Sequence, residues 1–249
     1  MKFLFWNVQR LGSATPEKRG EIMQGVVAEA FRVHNVDYAL LCEVSGSTNL
    51  DGVSFRKQVS VVKRGTHARA AQLGYASIDS DLNEVTLEKY PLPKFTKVFD
   101  QPSPRKGGNE FTKHSKRCVA YVLNVHGVNV YVYHANASSK APFLVAWVAE
   151  ALRLEDDEDF LLIGDFNCEP PEVRTQLELL KRDPDAFEFG EDGPTHNAKT
   201  GLTKTYDYAI GGRRVPSAVT KLDISKTIAQ FTNTPAKDMS DHLPIIVEI

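Results

Sequence analysis

Phe160-Leu161-Leu162-Ile163-Gly164-Asp165-Phe166-Asn167 is the stretch on which the reading of this chain turns. Its first four residues form a short, wholly apolar run, the mark of a buried strand, and a carboxylate and an amide follow at once. Taken alone, Gly164 to Asn167 reads equally well as a turn, because Asp and Asn favour turns. The same arrangement, an apolar strand ending in a polar side chain, recurs along the chain. Asn7 ends the run from Phe3, Glu43 ends Val36 to Cys42, and His134 ends Val128 to Tyr133. Asp207 lies in a late strand, and Asp241-His242 precede the last one. Each has a structural alternative: Asn7 as a turn cap, Glu43 as an exposed strand-end charge, His134 as a hydrogen-bonded structural histidine, Asp207 as a loop brace. Converged at one rim of a sheet, these carboxylates, amides and imidazoles would suit a hard divalent cation such as Mg²⁺, which prefers oxygen ligands. They do not suit structural zinc, which wants Cys and His at short spacing.

Composition sets the frame. The 249 residues are 42% hydrophobic and 25% charged, ordinary for a globular protein, and disordered, collagenous and coiled-coil classes are excluded. No apolar run approaches the roughly 18 residues of a membrane-spanning helix, so no membrane partner is expected. The net charge is −2, but it is unevenly spread. Arg56 to Arg69 carries Arg56, Lys57, Lys63, Arg64 and Arg69 with no acid. Pro104 to Arg117 carries Arg105, Lys106, Lys113, Lys116 and Arg117 against Glu110 alone. Basic runs are commonly just solvated faces; two in a near-neutral chain favour a polyanionic substrate. Three cysteines, Cys42, Cys118 and Cys168, read as reduced thiols. The apolar run Phe3 to Trp6 is too short for a signal-peptide core, and a cytoplasmic setting is expected.

Further elements follow from periodicity. Glu17 to His34 carries apolar residues at helical spacing, as does Pro142 to Leu154. Phe55 to Val62, Leu73 to Ile78 and Glu84 to Leu87 read as strands, with loops at Ser45 to Gly52 and Pro91 to Gly108. Arg117 to Val125 and Val128 to His134 flank His126-Gly127 as a hairpin, Gly127 supplying positive φ. Pro170 and Pro171 start a helix through Arg182. Thr205 to Ile210, Ala218 to Ile224 and Leu243 to Glu248 are late strands. No linker or repeat divides the chain, so residues 1–249 read as one domain.

The ordered set Trp6-Asn7-Val8, Leu41-Cys42-Glu43-Val44, Val132-Tyr133-His134, Gly164-Asp165-Phe166-Asn167, Tyr206-Asp207-Tyr208 and Ser240-Asp241-His242-Leu243-Pro244 resembles the endonuclease/exonuclease/phosphatase superfamily. The resemblance runs from the first strand to the last. It implies the DNase I-like fold, a four-layer αββα sandwich of two packed mixed β-sheets flanked by helices, and Mg²⁺-dependent cleavage of a phosphate ester, with Mn²⁺ as a substitute. It assigns Glu43, Asn7 and Asp241 to the metal. Asp165 would orient or deprotonate the attacking water, Asn167 would position the phosphate, and His134 and His242 would flank it. Asp207 would be the carboxylate partner of His242, and Arg117 a phosphate contact. Three departures stand out: Cys42 where many nucleolytic members have Gln, Gln9-Arg10-Leu11 after the first strand, which argues against abasic-site repair, and Glu88 in place of a serine before Lys89-Tyr90-Pro91.

The expected function is a Mg²⁺-dependent phosphodiesterase, a nuclease hydrolysing DNA by in-line water attack, with Arg105, Lys106 and Lys113 on the substrate. The alternatives are a hydrolase of RNA ends, phosphoinositides or another small phosphate ester, and, from a different class, a non-catalytic binding module. The last predicts loss of a motif residue, and all are present.

Overall fold

The computed structural model describes residues 1–8, 16–43, 59–63, 119–156, 159–198, 201–213, 215, 218–229 and 241–249. Strand β1 (Lys2–Asn7) pairs in parallel with β2 (Tyr38–Cys42), after helix α1 (Pro16–Val33). On its other edge β1 pairs antiparallel with the last strand, β12 (Ile245–Glu248). With β3 (Val59–Lys63) and β11 (Ala218–Lys221) these form a sheet in the order β11-β12-β1-β2-β3. The second sheet runs β4-β5-β6-β10-β7, from β4 (Ala120–Val125), β5 (Val128–His134), β6 (Phe160–Asp165), β7 (Phe187–Gly190) and β10 (Asp207–Gly212). Helices α2 (Ala141–Glu155), α3 (Pro170–Leu179) and α4 (Ser225–Ala229), a 3₁₀ turn at Pro184–Ala186 and a small hairpin, β8 (His196–Ala198) with β9 (Gly201–Lys204), complete the described elements.

Alternation along the strands sorts side chains into layers, because successive residues point to opposite faces. Phe3 and Phe5 of β1 and Leu40 of β2 pack against Val130, Val132, Leu161 and Ile163, closing the space between the sheets. Leu4, Trp6, Ala39 and Leu41 face outward onto Val26, Val27, Ala30 and Phe31 of α1. On the far side, Tyr131, Tyr133, Phe160 and Leu162 pack under Leu144, Val148 and Leu152 of α2 and Val173 and Leu177 of α3. The result is the expected sandwich: helix, sheet, sheet, helix.

Two glycines have specific duties. Gly127 takes φ 98° beside His126 at φ 52°, and two successive positive φ values make the tight β4–β5 turn foreseen from the sequence. Gly164 lies where β5 and β6 run closest: a Cβ there would sit 1.9 Å from the Tyr133 carbonyl oxygen. Some boundaries differ from expectation. Helix α3 stops at Leu179, before Arg182. Lys181 adopts φ 56°, its N–H donates to Glu178 O, and Arg182 N–H donates to Leu177 O, a Schellman stop built without glycine. Strand β10 begins at Asp207, because the Thr195 hydroxyl takes the N–H groups of both Tyr206 and Asp207. Strand β11 ends at Lys221 and β12 begins at Ile245. The strands and loops expected between residues 64 and 118, and the loop at 45–52, lie outside the described residues.

Candidate active site

Topology gathers the functional residues at one end of the molecule. Strands β1 and β2 run in parallel, as do β5 and β6, so Asn7, Glu43, His134 and Asp165 all stand at carboxyl ends. Antiparallel β10 and β12 start at that end, bringing Asp207 and the residues just before Ile245. In the second sheet, His134 and Asp207 are the register partners of Asp165 on either side, so an imidazole and two carboxylates form one row. A cavity of about 530 Å³ opens over them, lined by Asn7, Glu43, His134, Asp165, Asn167 and His242, with Ala137, Ser138, His196 and Tyr206.

Asp165 is the hub. Asn7 Nδ2 donates to its Oδ2 at 2.8 Å, and the Asn167 backbone N–H donates to its Oδ1 at 3.0 Å. His134 Nε2 lies 3.4 Å and His242 Nε2 3.7 Å from Oδ2. Burial raises the Asp165 carboxyl to about 6; the Asp207 charge adds to the rise, while His242 and the bonds from Asn7 and Asn167 oppose it. The group stays ionised at neutral pH yet is near the basicity useful for taking a proton. Asn167 sits in the left-handed region, φ 52°, a conformation asparagine tolerates, and its Nδ2 donates to Ala135 O at 3.0 Å.

His242 is held through both its ring and its backbone. Its Nδ1 meets Asp207 Oδ2 at 2.8 Å, and its carbonyl accepts from Trp6 Nε1 at 3.1 Å. Asp207 is fully buried, and its Oδ1 has no hydrogen-bond partner among the described residues. Burial pushes the imidazole toward the neutral form. The Asp207 charge and hydrogen bond, with Asp165 and Asp241, overcome that and raise its pKa to about 10, so His242 is a cation at neutral pH. His134 Nε2 stands between Asp165 and Glu43 Oε1, the latter at 3.3 Å. Glu43 takes φ 57° as β2 ends, an uncommon conformation for a glutamate at the cavity rim.

Asp241 faces two imidazoles, His196 Nε2 at 3.4 Å from Oδ2 and His242 Nε2 at 3.9 Å from Oδ1. Burial lifts its carboxyl; the His196 hydrogen bond and the charges of His242 and His196 outweigh this and hold it below the usual range. Among the described residues, two groups of side chains have ligand atoms close enough to share an ion: His196, Asp241 and His242, and Asp165, Asp207 and His242.

Eight of the residues singled out from the sequence thus come together: Asn7, Glu43, His134, Asp165, Asn167, Asp207, Asp241 and His242. Arg105, Lys106, Lys113 and Arg117 lie outside the described residues. The sequence reading missed His196, Tyr206 and the anchoring indole of Trp6. An isolated bridge to His242 and the Leu243–Thr195 backbone bond bring His196 in, contacts that no local pattern announces. Burial drives the Cys168 thiol well above its usual range, which disfavours the thiolate a nucleophile needs. Cys42 is buried, and among the described residues neither cysteine is in a disulfide.

No family model and no curated protein matches the chain. Solved structures do. The chain aligns over 99% of its length with the Haemophilus ducreyi cytolethal distending toxin, at 14% identity, 96% of that chain and TM-score 0.51. It aligns over 99% with the human nocturnin catalytic domain bearing a sulfate anion, at 14% identity, 93% of that chain and TM-score 0.53. A Bacteroides thetaiotaomicron endonuclease/exonuclease/phosphatase family protein aligns over 99% of this chain and 96% of its own, at 11% identity and TM-score 0.50. The chain therefore has the DNase I-like fold, the architecture of the superfamily its motifs resemble. Among the described residues no helix is long and apolar enough to cross a membrane.

Proposed function

We propose that this chain is a divalent-metal-dependent phosphodiesterase whose substrate is a nucleic acid, DNA before RNA. The observation that carries the reading is the pair at the cavity floor: a buried, ionised Asp165 facing a His242 kept cationic by Asp207. One group can accept a proton and the other can donate one or offset negative charge, as in-line attack of water on a phosphate ester requires. The solved structures of the same fold include a protein described as of the endonuclease/exonuclease/phosphatase family, in keeping with a hydrolytic role.

Asp165 takes the proton of the attacking water, its carboxylate aimed by Asn7 and by the Asn167 N–H. His242 faces the developing charge on the leaving oxygen, and Asp207 fixes the ring so that Nε2 carries the reacting proton. His134 donates to a phosphate oxygen from its place beside Glu43 and Asp165. Asn167 bounds the phosphate position, its amide tied to Ala135 O. The donor chemistry fits a hard cation. Glu43 and Asp241 offer carboxylate oxygens, and Asn7, whose NH₂ is used on Asp165, offers its carbonyl oxygen. Mg²⁺ or Mn²⁺ held there supplies charge neutralisation at the phosphate.

A polymeric substrate is supported by the two basic stretches, Arg56 to Arg69 and Pro104 to Arg117. The deciding experiment incubates purified protein and Mg²⁺ with plasmid DNA, linear DNA, RNA and inositol phosphates. Cleavage of DNA, abolished by EDTA and by Asp165→Asn, is the expected result. Turnover of inositol phosphates alone refutes the nucleic-acid reading, and inertness on all four refutes a hydrolase.

A further inference from the structure

His196 lines the cavity without a part in the chemistry above. Its mounting is rigid. Thr195 N–H donates to Lys204 O at 2.9 Å, and Leu243 N–H donates to Thr195 O at 2.9 Å, so the hairpin is sewn to the segment that carries Asp241 and His242. The ring rests against Tyr206, centroids 5.1 Å apart, and stands edge-on to His242 at 4.8 Å and 73°. Nε2 then falls 3.4 Å from Asp241 Oδ2.

Asp241 needs such a brace. It precedes β12 on a non-strand segment, and its side chain is 34% exposed. A carboxylate so placed has several rotamers open to it, and only those turned toward the cavity serve a cation. We propose that His196 is a positioning residue that fixes the Asp241 carboxylate for a divalent cation. This rests on the reading of Asp241 as a cation ligand. The rival role, His196 as a ligand itself, requires an ion shared with His242, the third member of that group. An ion there would rest on two imidazoles and a single carboxylate, a poor set for a hard cation. Mg²⁺ also favours oxygen over imidazole. Holding the oxygen ligand is the role left to His196, of the kind that partners behind metal ligands commonly play.

The test is Mn²⁺ binding to the whole protein, followed by the electron paramagnetic resonance of free Mn²⁺, with thermal melts as a control for folding. His196→Phe keeps a ring against Tyr206 and removes the donor; His196→Gln restores a donor. His196→Phe should weaken Mn²⁺ about ten- to a hundredfold, His196→Gln should recover most of that, and Asp241→Asn should weaken binding at least as much. The double variant should bind no worse than Asp241→Asn, because the histidine acts through the carboxylate. Wild-type affinity in His196→Phe, with Asp241→Asn weakened, overturns the role of His196 while leaving the metal reading intact. Wild-type affinity in Asp241→Asn overturns the metal reading of Asp241 and this inference with it. Equal weakening in Gln and Phe variants, or additivity in the double variant, also overturns the positioning role. So does a directly coordinated nitrogen in the Mn²⁺ spectrum that His196→Phe abolishes.

Discussion

Asp207→Asn separates the charge of the Asp207–His242 pair from its shape. The backbone bond from Asp207 N–H to the Thr195 hydroxyl survives the change, and an amide fits where the carboxylate did. His242, raised to about 10 beside Asp207 Oδ2 at 2.8 Å, loses its chief support. Wild-type His242 is almost wholly cationic at pH 7.5; an imidazole returned to about 6.5 would be only about one-tenth cationic there. The expected fall in kcat at pH 7.5 is therefore up to about tenfold, with the basic limb of the pH–rate profile moving from near 10 toward neutrality. Because Asp165 and Asp241 still favour the cation, the limb should stop short of the free value. Stability must follow with the same sign. A folded pKa above the unfolded one stabilises fully below about 6.5, and that contribution is lost as pH rises through 10. In EDTA, urea melts of wild type should lose about 1.4 kcal/mol per pH unit from this group between those limits; Asp207→Asn should lose less. His242→Ala should cost more kcat than Asp207→Asn, with the double variant little worse than His242→Ala. Additive losses, an unmoved basic limb and an unchanged stability slope together would falsify the pairing and leave Asp207 a structural brace.

Glu43→Gln should abolish turnover at limiting Mg²⁺ while the melting temperature holds, since the residue stands at the cavity rim and not in the core; full activity would refute its metal role. Asn7→Ala removes a hydrogen bond that favours the ionised Asp165, so the carboxyl should titrate above about 6 in the metal-free protein, read from its infrared stretch; a downward shift contradicts the geometry. Gly164→Ala would drive a methyl group to 1.9 Å from Tyr133 O, and either a loss of more than about 3 kcal/mol in denaturant melts or failure to fold is expected; a neutral effect refutes the close approach. Replacing Arg105, Lys106 and Lys113 together should flatten the salt dependence of DNA binding by up to roughly three phosphate contacts; an unchanged slope removes them from the interface.

The core strands were legible because their apolar character is undiluted: every residue of Tyr38–Cys42 and of Phe160–Asp165 is buried. The site was legible through polar residues whose place at strand ends has no packing explanation. What escaped has physical reasons. Every residue of Gly201–Lys204 is exposed, so the β8–β9 hairpin leaves no apolar alternation to read. Thr205 and Tyr206 resemble strand residues, yet the Thr195 hydroxyl takes the N–H that a sheet would have used at Tyr206. The end of α3 was misread because a lysine occupies the left-handed position usually given to glycine. His196 is linked to Asp241 only by pairing between distant segments, which no window of sequence contains.

The seam between β1 and β12 also decides when the candidate site is complete. Asn7 comes from the first strand and His242 from the last stretch before β12, and the indole of Trp6 ties the two together. A nascent chain that has already made β4, β5, β6, β7 and β10 holds every strand of its second sheet, with Asp165 and Asp207 in register. It still lacks the imidazole. The candidate site is thus complete only once Asp241 and His242 have been made, and a chain cut after residue 240 lacks both while the described second sheet keeps its five strands.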